Sequence, residues 1–193
     1  MIRRLLLIVP LLAVSALARA GMVHGGPNKA AIASGAVANG VIGNLTDNDS
    51  TTGGNNLFVF STFSATTPGQ VTHGHFRVDA DIGNKMTIAL YDINGNKLAE
   101  GNMTYATNAR AWANAQLTSS YTVAAGTVYI LGVVTNDASV SAADKTSCAS
   151  ATRYIAMNYA DSGLPNFNPA SATTVSAGKC FTTIFNTSSA DPN

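Results

Sequence analysis

His73 and His75, separated by one glycine, are the residues of this chain whose type and spacing speak most directly of chemistry. In an extended segment alternate residues share a face, so both imidazoles point the same way, within reach of one transition metal. A third ligand is needed, and Asp79, Asp81 and His24 are placed to supply it. The plainer reading is a solvated polar strip of His73, His75, Arg77 and Asp79, because a two-residue histidine pair is a weak motif. A second strip runs through Trp112, Asn114 and Gln116, which alternate with Ala111, Ala113, Ala115 and Leu117. It sets an aromatic plane beside two amides, the arrangement on which a sugar ring stacks its C–H face while its hydroxyls find partners. The same tryptophan equally suits a sandwich core, packed on Tyr129, and the sequence leaves both open.

Two further clusters are rich in oxygen. Asp47-Asn48-Asp49-Ser50 and Asp92-Ile93-Asn94-Gly95-Asn96 resemble parts of calcium loops. Neither carries the closing glutamate of an EF-hand, so that motif is excluded. A single calcium held by loop carbonyls and one or two aspartates stays open beside simple turn chemistry. Catalysis has little to stand on. Glu100 is the only glutamate, no local pattern nominates a carboxylate pair, and neither a Gly-x-Ser-x-Gly elbow nor a phosphate-cradling glycine loop occurs. A non-catalytic protein is expected.

The elements that must position these residues read as strands. Leu57 to Phe63 is the first clear one; Gln70 to Ile82 alternates Phe76, Val78, Ala80 and Ile82 against His73, His75, Arg77, Asp79 and Asp81. Lys85 to Tyr91 repeats the alternation, and Asn94-Gly95 predicts a type I′ hairpin into Lys97 to Tyr105. Trp112 to Thr118, Thr127 to Thr135, Arg153 to Tyr159 and Lys179 to Asn186 complete the set, with a loop carrying Cys148 before Arg153. Thr127 to Thr135 is apolar on both faces and is expected to be central. Short apolar runs at roughly ten-residue spacing predict an all-β fold, an antiparallel β-sandwich or barrel.

Location follows from the first residues. Arg3 and Arg4, an apolar run from Leu5 to Leu17 and Ala18-Arg19-Ala20 have the form of a secretory signal peptide, residues 1–20. Cleavage there leaves no membrane-spanning segment, since the run is shorter than the roughly 20 residues that a spanning helix needs. The remaining chain divides into a small-residue-rich N-terminal arm or first strands, 21–56, and a β-sandwich domain, 57–193. Three of the eleven basic residues fall in the leader, leaving eight against ten acidic ones. A net charge of −2 without a basic cluster argues against nucleic acid as a partner. Outside the cell, Cys148 and Cys180 are expected to pair.

The Ile88-Ala89-Leu90-Tyr91-Asp92 strand with its Asn-Gly turn and Leu98-Ala99, the Trp112 to Leu117 strand, and Ala124-Ala125-Gly126-Thr127-Val128-Tyr129-Ile130-Leu131 resemble a jelly-roll module. That module recurs in bacterial secreted glycosidases, adhesin-like proteins and phage tail proteins. Such modules are similar to carbohydrate-binding β-sandwiches, so the resemblance implies a fold first, an antiparallel jelly-roll-type β-sandwich, and carbohydrate binding second. The expected protein is secreted or displayed at the cell surface. It binds a carbohydrate or cell-surface polymer through the His73, His75, Arg77, Asp79 strip or the Trp112, Asn114, Gln116 strip. The alternative is a structural subunit of an extracellular fibre or surface layer, partnered by further copies of itself through the arm.

Overall fold

The computed structural model describes residues 39–46, 49–52, 56–107, 111–136 and 141–192, with backbone alone at 49–52, 79–84, 104–107, 141–144 and 176. The leader, the arm up to residue 38, and Asp47-Asn48 of the first oxygen-rich cluster lie outside the described residues. The alternating run that begins at Gln70 does not stop at Ile82. It forms one 24-residue strand, β4 (Gly69–Asp92), where the sequence reads as two. Around it stand β1 (Val41–Asn44), β2 (Asp49–Thr52), β3 (Leu57–Thr67), β5 (Lys97–Thr107), β6 (Ala111–Val123), β7 (Val128–Thr135), β8 (Ser141–Ala156), β9 (Thr173–Phe181) and β10 (Thr183–Asn186). The fold is all-β, and every ladder between these strands is antiparallel.

The length of β4 organises the sandwich. Its first half hydrogen-bonds to β6 on one side and β10 on the other, while its second half lies between β5 and β7. The ladder runs β1-β10-β4-β7-β3-β8-β2, and β1 also pairs with the end of β3, which closes the path into a ring. Within this ring sits a core of Phe76, Val78, Met86, Ile88, Leu90, Leu131, Phe181 and Phe185, all buried. Pairing with β6 slips between Val71 and His73, and this bulge reverses the parity of the strand. Val71 therefore faces inward on an odd number, whereas Phe76 and Val78 face inward on even ones.

Two boundaries differ from the sequence reading. The loop expected before Arg153 is the first part of β8, because Ser141 to Asp144 pair with β2. The last expected strand is broken at Thr182, whose carbonyl accepts from the Arg77 amide. The hairpin between β4 and β5 is present, but it is not a type I′ turn. Only Gly95 has positive φ, 82°, and the Gly95 amide closes the turn on the Asp92 carbonyl. β1 lies in the segment that reads as an arm or first strands: Ile42 is completely buried between Phe185 and Ala65.

A second core lies on the outer face of β3, β4 and β7, where Phe58, Phe60, Ala89, Tyr91, Ile130 and Val134 are buried beneath the segment 157–172. This explains why the second half of β4 and the whole of β7 are apolar on both faces. Phe167 of the covering segment packs edge-on against Tyr91 and Phe58, at 4.9 and 5.4 Å between ring centroids. Its amide bonds to the Gly95 carbonyl, and a Cβ at Gly95 would stand 2.0 Å from the Phe167 oxygen. That contact requires glycine at this turn, as does its φ.

Glu100, the sole glutamate, ties down the other end of the cover. Its Oε1 accepts from the Gly163 amide at 2.7 Å and from Lys97 Nζ at 3.0 Å, and its Oε2 accepts from the Leu164 amide at 3.0 Å. Burial disfavours the carboxylate, but the Gly163 amide, Lys97 and the Leu164 amide together outweigh it and hold Glu100 below the usual carboxylate range. Tyr91 is pushed well above the usual phenol range, first by burial and then by the nearby Glu100 charge, and its hydroxyl donates to the Pro165 carbonyl.

Glu100→Gln places an amide N–H₂ against a backbone donor, and should cost about 2 kcal/mol in urea unfolding. A carboxyl held low in the folded state contributes stability above its unfolded value of about 4.3 and loses it as pH falls through the lower, folded value. The wild-type protein should therefore lose more stability toward acid pH than the variant, which keeps only the part contributed by the remaining low carboxylates such as Asp92. Identical acid limbs would refute the anchoring role.

Candidate functional site

The two strips that the sequence offers as alternatives are one surface. In the β4–β6 ladder His73 pairs with Gln116, His75 with Asn114 and Arg77 with Trp112. Directly paired residues of an antiparallel ladder project to the same side, so all six side chains share a face. Ala113, Ala115 and Leu117 point the opposite way and are buried in the main core. Tyr129 has Tyr121 rather than Trp112 as its aromatic neighbour, with centroids 6.2 Å apart.

Trp112 is half-buried, and the Arg77 guanidinium carbon stands 5.5 Å from its ring centroid. This is cation–π distance, and it fixes the indole plane against the sheet. Among the described residues the indole N–H has no hydrogen-bond partner, and the Gln116 amide beyond it is exposed and likewise uncommitted. The face therefore offers a ring, a donor and an amide within three alternate positions of one strand.

The middle of the face is different. The sequence puts His75 on a wet surface, whereas its relative exposure is 0%. The chain after β10 returns over it: His75 Nδ1 lies 2.5 Å from Asn114 Oδ1, and Nε2 lies 3.0 Å from both Asn186 Oδ1 and the Ser188 carbonyl. Asn114 Nδ2 in turn donates to the Asp191 carboxylate, and the Ser188 amide donates to Asn186 Oδ1. Those two bonds orient both amide oxygens toward the ring. The imidazole thus fastens the C-terminal segment to the sheet.

That network bears on the metal reading. The two imidazole rings do lie side by side, 6.4 Å between centroids, but both nitrogens of His75 face oxygen acceptors. His73 Nδ1 is 2.9 Å from the Thr72 hydroxyl, which leaves only its Nε2 uncommitted. Partial burial, and next the neighbouring His75, lower the His73 pKa from its ordinary value. Asp79 and Asp81 lie on β4 with side chains outside the described ones, and His24 is also outside. No three His, Cys, Asp or Glu side chains converge among the described residues.

The second oxygen-rich cluster has a turn role. Asp92 Oδ1 accepts from the Asn94 and Asn96 amides, both at 2.9 Å, and Oδ2 accepts from Asn96 Nδ2 at 2.7 Å. Burial opposes ionisation, but the Asn96, Asn94 and Gly95 hydrogen bonds together prevail and lower the Asp92 pKa. The carboxylate that a calcium needs is spent on the hairpin. The side chains of Asp49 and Ser50 are outside the described ones.

Cys148 and Cys180 form a disulfide with their Cα atoms 5.9 Å apart. It spans the β8–β9 pair where the register slips between Thr146 and Ala151, so it clamps a bulge of β8 rather than a loop to an edge. By the chain-entropy model, closing this loop is worth roughly 3 to 4 kcal/mol. The bond suits an oxidising compartment, and no helix among the described residues is long and apolar enough to cross a membrane.

His75→Leu removes the imidazole from three part-buried oxygens, those of Asn114, Asn186 and Ser188. The variant should lose about 2 kcal/mol of stability in urea unfolding, and iodide quenching of the sole tryptophan should rise as the C-terminal segment loosens. Wild-type stability together with unchanged quenching would rule out the fastening role.

Comparison with known families places a match to a domain of unknown function, DUF4082, over residues 46–172. No curated protein matches the chain.

Proposed function

The chain belongs to the DUF4082 family, and from that premise we propose that it is a non-catalytic carbohydrate-binding module of the cell exterior. The ligand would stack on Trp112 and bond to the indole N–H and the Gln116 amide, with Arg77 holding the ring in place. The observation that carries this reading is the β4–β6 register, which gathers Arg77, Trp112, Asn114 and Gln116 on one face with the tryptophan half-open to solvent. Two features add support. The likeness of the 57–135 region to jelly-roll carbohydrate-binding modules is consistent with the sandwich, and the leader and disulfide agree on an extracytoplasmic location.

Screening the protein on a glycan array tests the proposal. A neutral glycan should be retained, and Trp112→Ala should weaken its binding by about tenfold while leaving the melting temperature within a few degrees, since a stacked base or sugar contributes on the order of 1–3 kcal/mol. No retained glycan, or retention indifferent to Trp112→Ala, would remove the ligand class or the assigned face.

The open edge of β9 favours a second reading. Among the described residues β9 pairs only with β8, and its Val175 is 47% exposed, so the edge can accept a strand from another copy. On this reading the protein is a fibre or surface-layer subunit joined by residues 21–38. The arm in this reading stops short of β1, since removing Val41–Asn44 would also remove the buried Ile42. Deleting 21–38 should convert assemblies to folded monomer in sedimentation velocity; monomer with those residues intact would dismiss it.

A further inference from the structure

The outer face of the sheet is covered by the 157–172 segment only as far as Phe60 and Tyr91. Beside them Thr62, Ile93 and Arg153, the last paired directly with Phe60, line a cleft of about 500 Å³. A second hollow of about 200 Å³, containing Phe63 and Val128, continues it and shares Thr62 and Ser150. Their combined size is that of a site for a small ligand.

From this cleft we propose a binding site for an acidic oligosaccharide, separate from the Trp112 face and independent of it. Three observations define the ligand chemistry. First, Arg153 is exposed, and among the described residues its guanidinium has no acidic partner, so its planar fork is available to a carboxylate. Second, the floor is a hydroxyl pair: Thr62 Oγ1 and Ser150 Oγ are 2.8 Å apart, and Ser150 Oγ also takes the Thr62 amide at 3.0 Å. Each oxygen keeps further lone pairs for sugar hydroxyls. Third, the lips are apolar. Ile93 and Val128, exposed by 51% and 39%, are two of only four exposed large hydrophobic side chains among the described residues, and both border this cleft. A cation, a hydroxyl floor and apolar edges within one groove match a pyranose ring carrying a carboxylate.

The walls are rigid. Ser150 reaches Thr62 because four residues of β8, 147–150, bulge out opposite the Gly178 turn of β9, with Ser147 at φ 61° and Gly178 at φ 73°. The Cys148–Cys180 bond fastens that bulge to the neighbouring strand. Preorganised hydroxyls lose little freedom on binding.

Tetragalacturonate, titrated into the ¹⁵N-labelled protein and followed by amide chemical shifts, provides the test. Shifts should concentrate at Thr62, Ile93, Ser150 and Arg153, and the fully methyl-esterified tetramer should bind about tenfold more weakly because the carboxylate charge is gone. Arg153→Gln should weaken tetragalacturonate about tenfold with an otherwise native spectrum, and Trp112→Ala should leave it unchanged. Absence of shifts in the cleft, equal affinity for the ester, or indifference to Arg153→Gln would overturn the proposal. Shifts confined to the Trp112 face and abolished by Trp112→Ala would also overturn it, while supporting the neutral-glycan reading.

Discussion

The structure depends on one strand being long enough to pair with five others. β4 hydrogen-bonds to β5, β6, β7, β8 and β10, so any change in its parity would turn every neighbour's side chains over together. The bulge between Val71 and His73 is the device that sets that parity. It delivers Phe76, Met86, Ile88 and Leu90 to one continuous core and, by the same step, puts His73, His75 and Arg77 on the opposite side. The candidate binding face is therefore not an addition to the sandwich. It is the complement of its core.

Burial on both sides has a polar cost, and Glu100 shows how it is met. The 157–172 segment has almost no regular structure beyond a single 3₁₀ turn, so its backbone amides need partners that a ladder does not supply. One buried carboxylate takes two of them and a lysine, and the Asn166 side chain takes the Lys97 amide. The aromatic contacts of Phe167 supply the apolar half of the attachment. Each kind of contact makes the other affordable, since the cover must be polar along its backbone and apolar beneath.

Much of the fold was legible because its cause is local. Alternation in Lys85 to Tyr91, the double-sided apolarity of Thr127 to Thr135, and a cysteine pair all act at short range or through a period, and strand identity follows from them. The Gly95 turn was visible, yet its type depended on Phe167, seventy-two residues away, docking on it. The site divided in the same way. That Trp112, Asn114 and Gln116 share a face is a property of one strand, whereas their adjacency to Arg77, His75 and His73 is a property of register between strands. The burial of His75 depended on Asn186, Ser188 and Asp191, and no pattern around a histidine announces partners more than a hundred residues distant. Glu100 carried no such signal: being the only glutamate among ten acidic residues says nothing of burial, and its partners Gly163 and Leu164 are more than sixty residues distant. The cleft at Arg153 had none, because β8, β3 and the β4–β5 turn meet there only in three dimensions.

β10 lies between β1 and β4, and with it the ring of strands closes. Among the described residues the last strand thus joins the first, across more than a hundred and thirty residues of intervening sequence. This pairing is among the most non-local in the fold, so its loop entropy is lost before the contacts of Ile42 and Phe76 with β10 offset it. Folding should consequently be slow by the standards of the domain's size, because the pairing that closes the ring of strands is non-local.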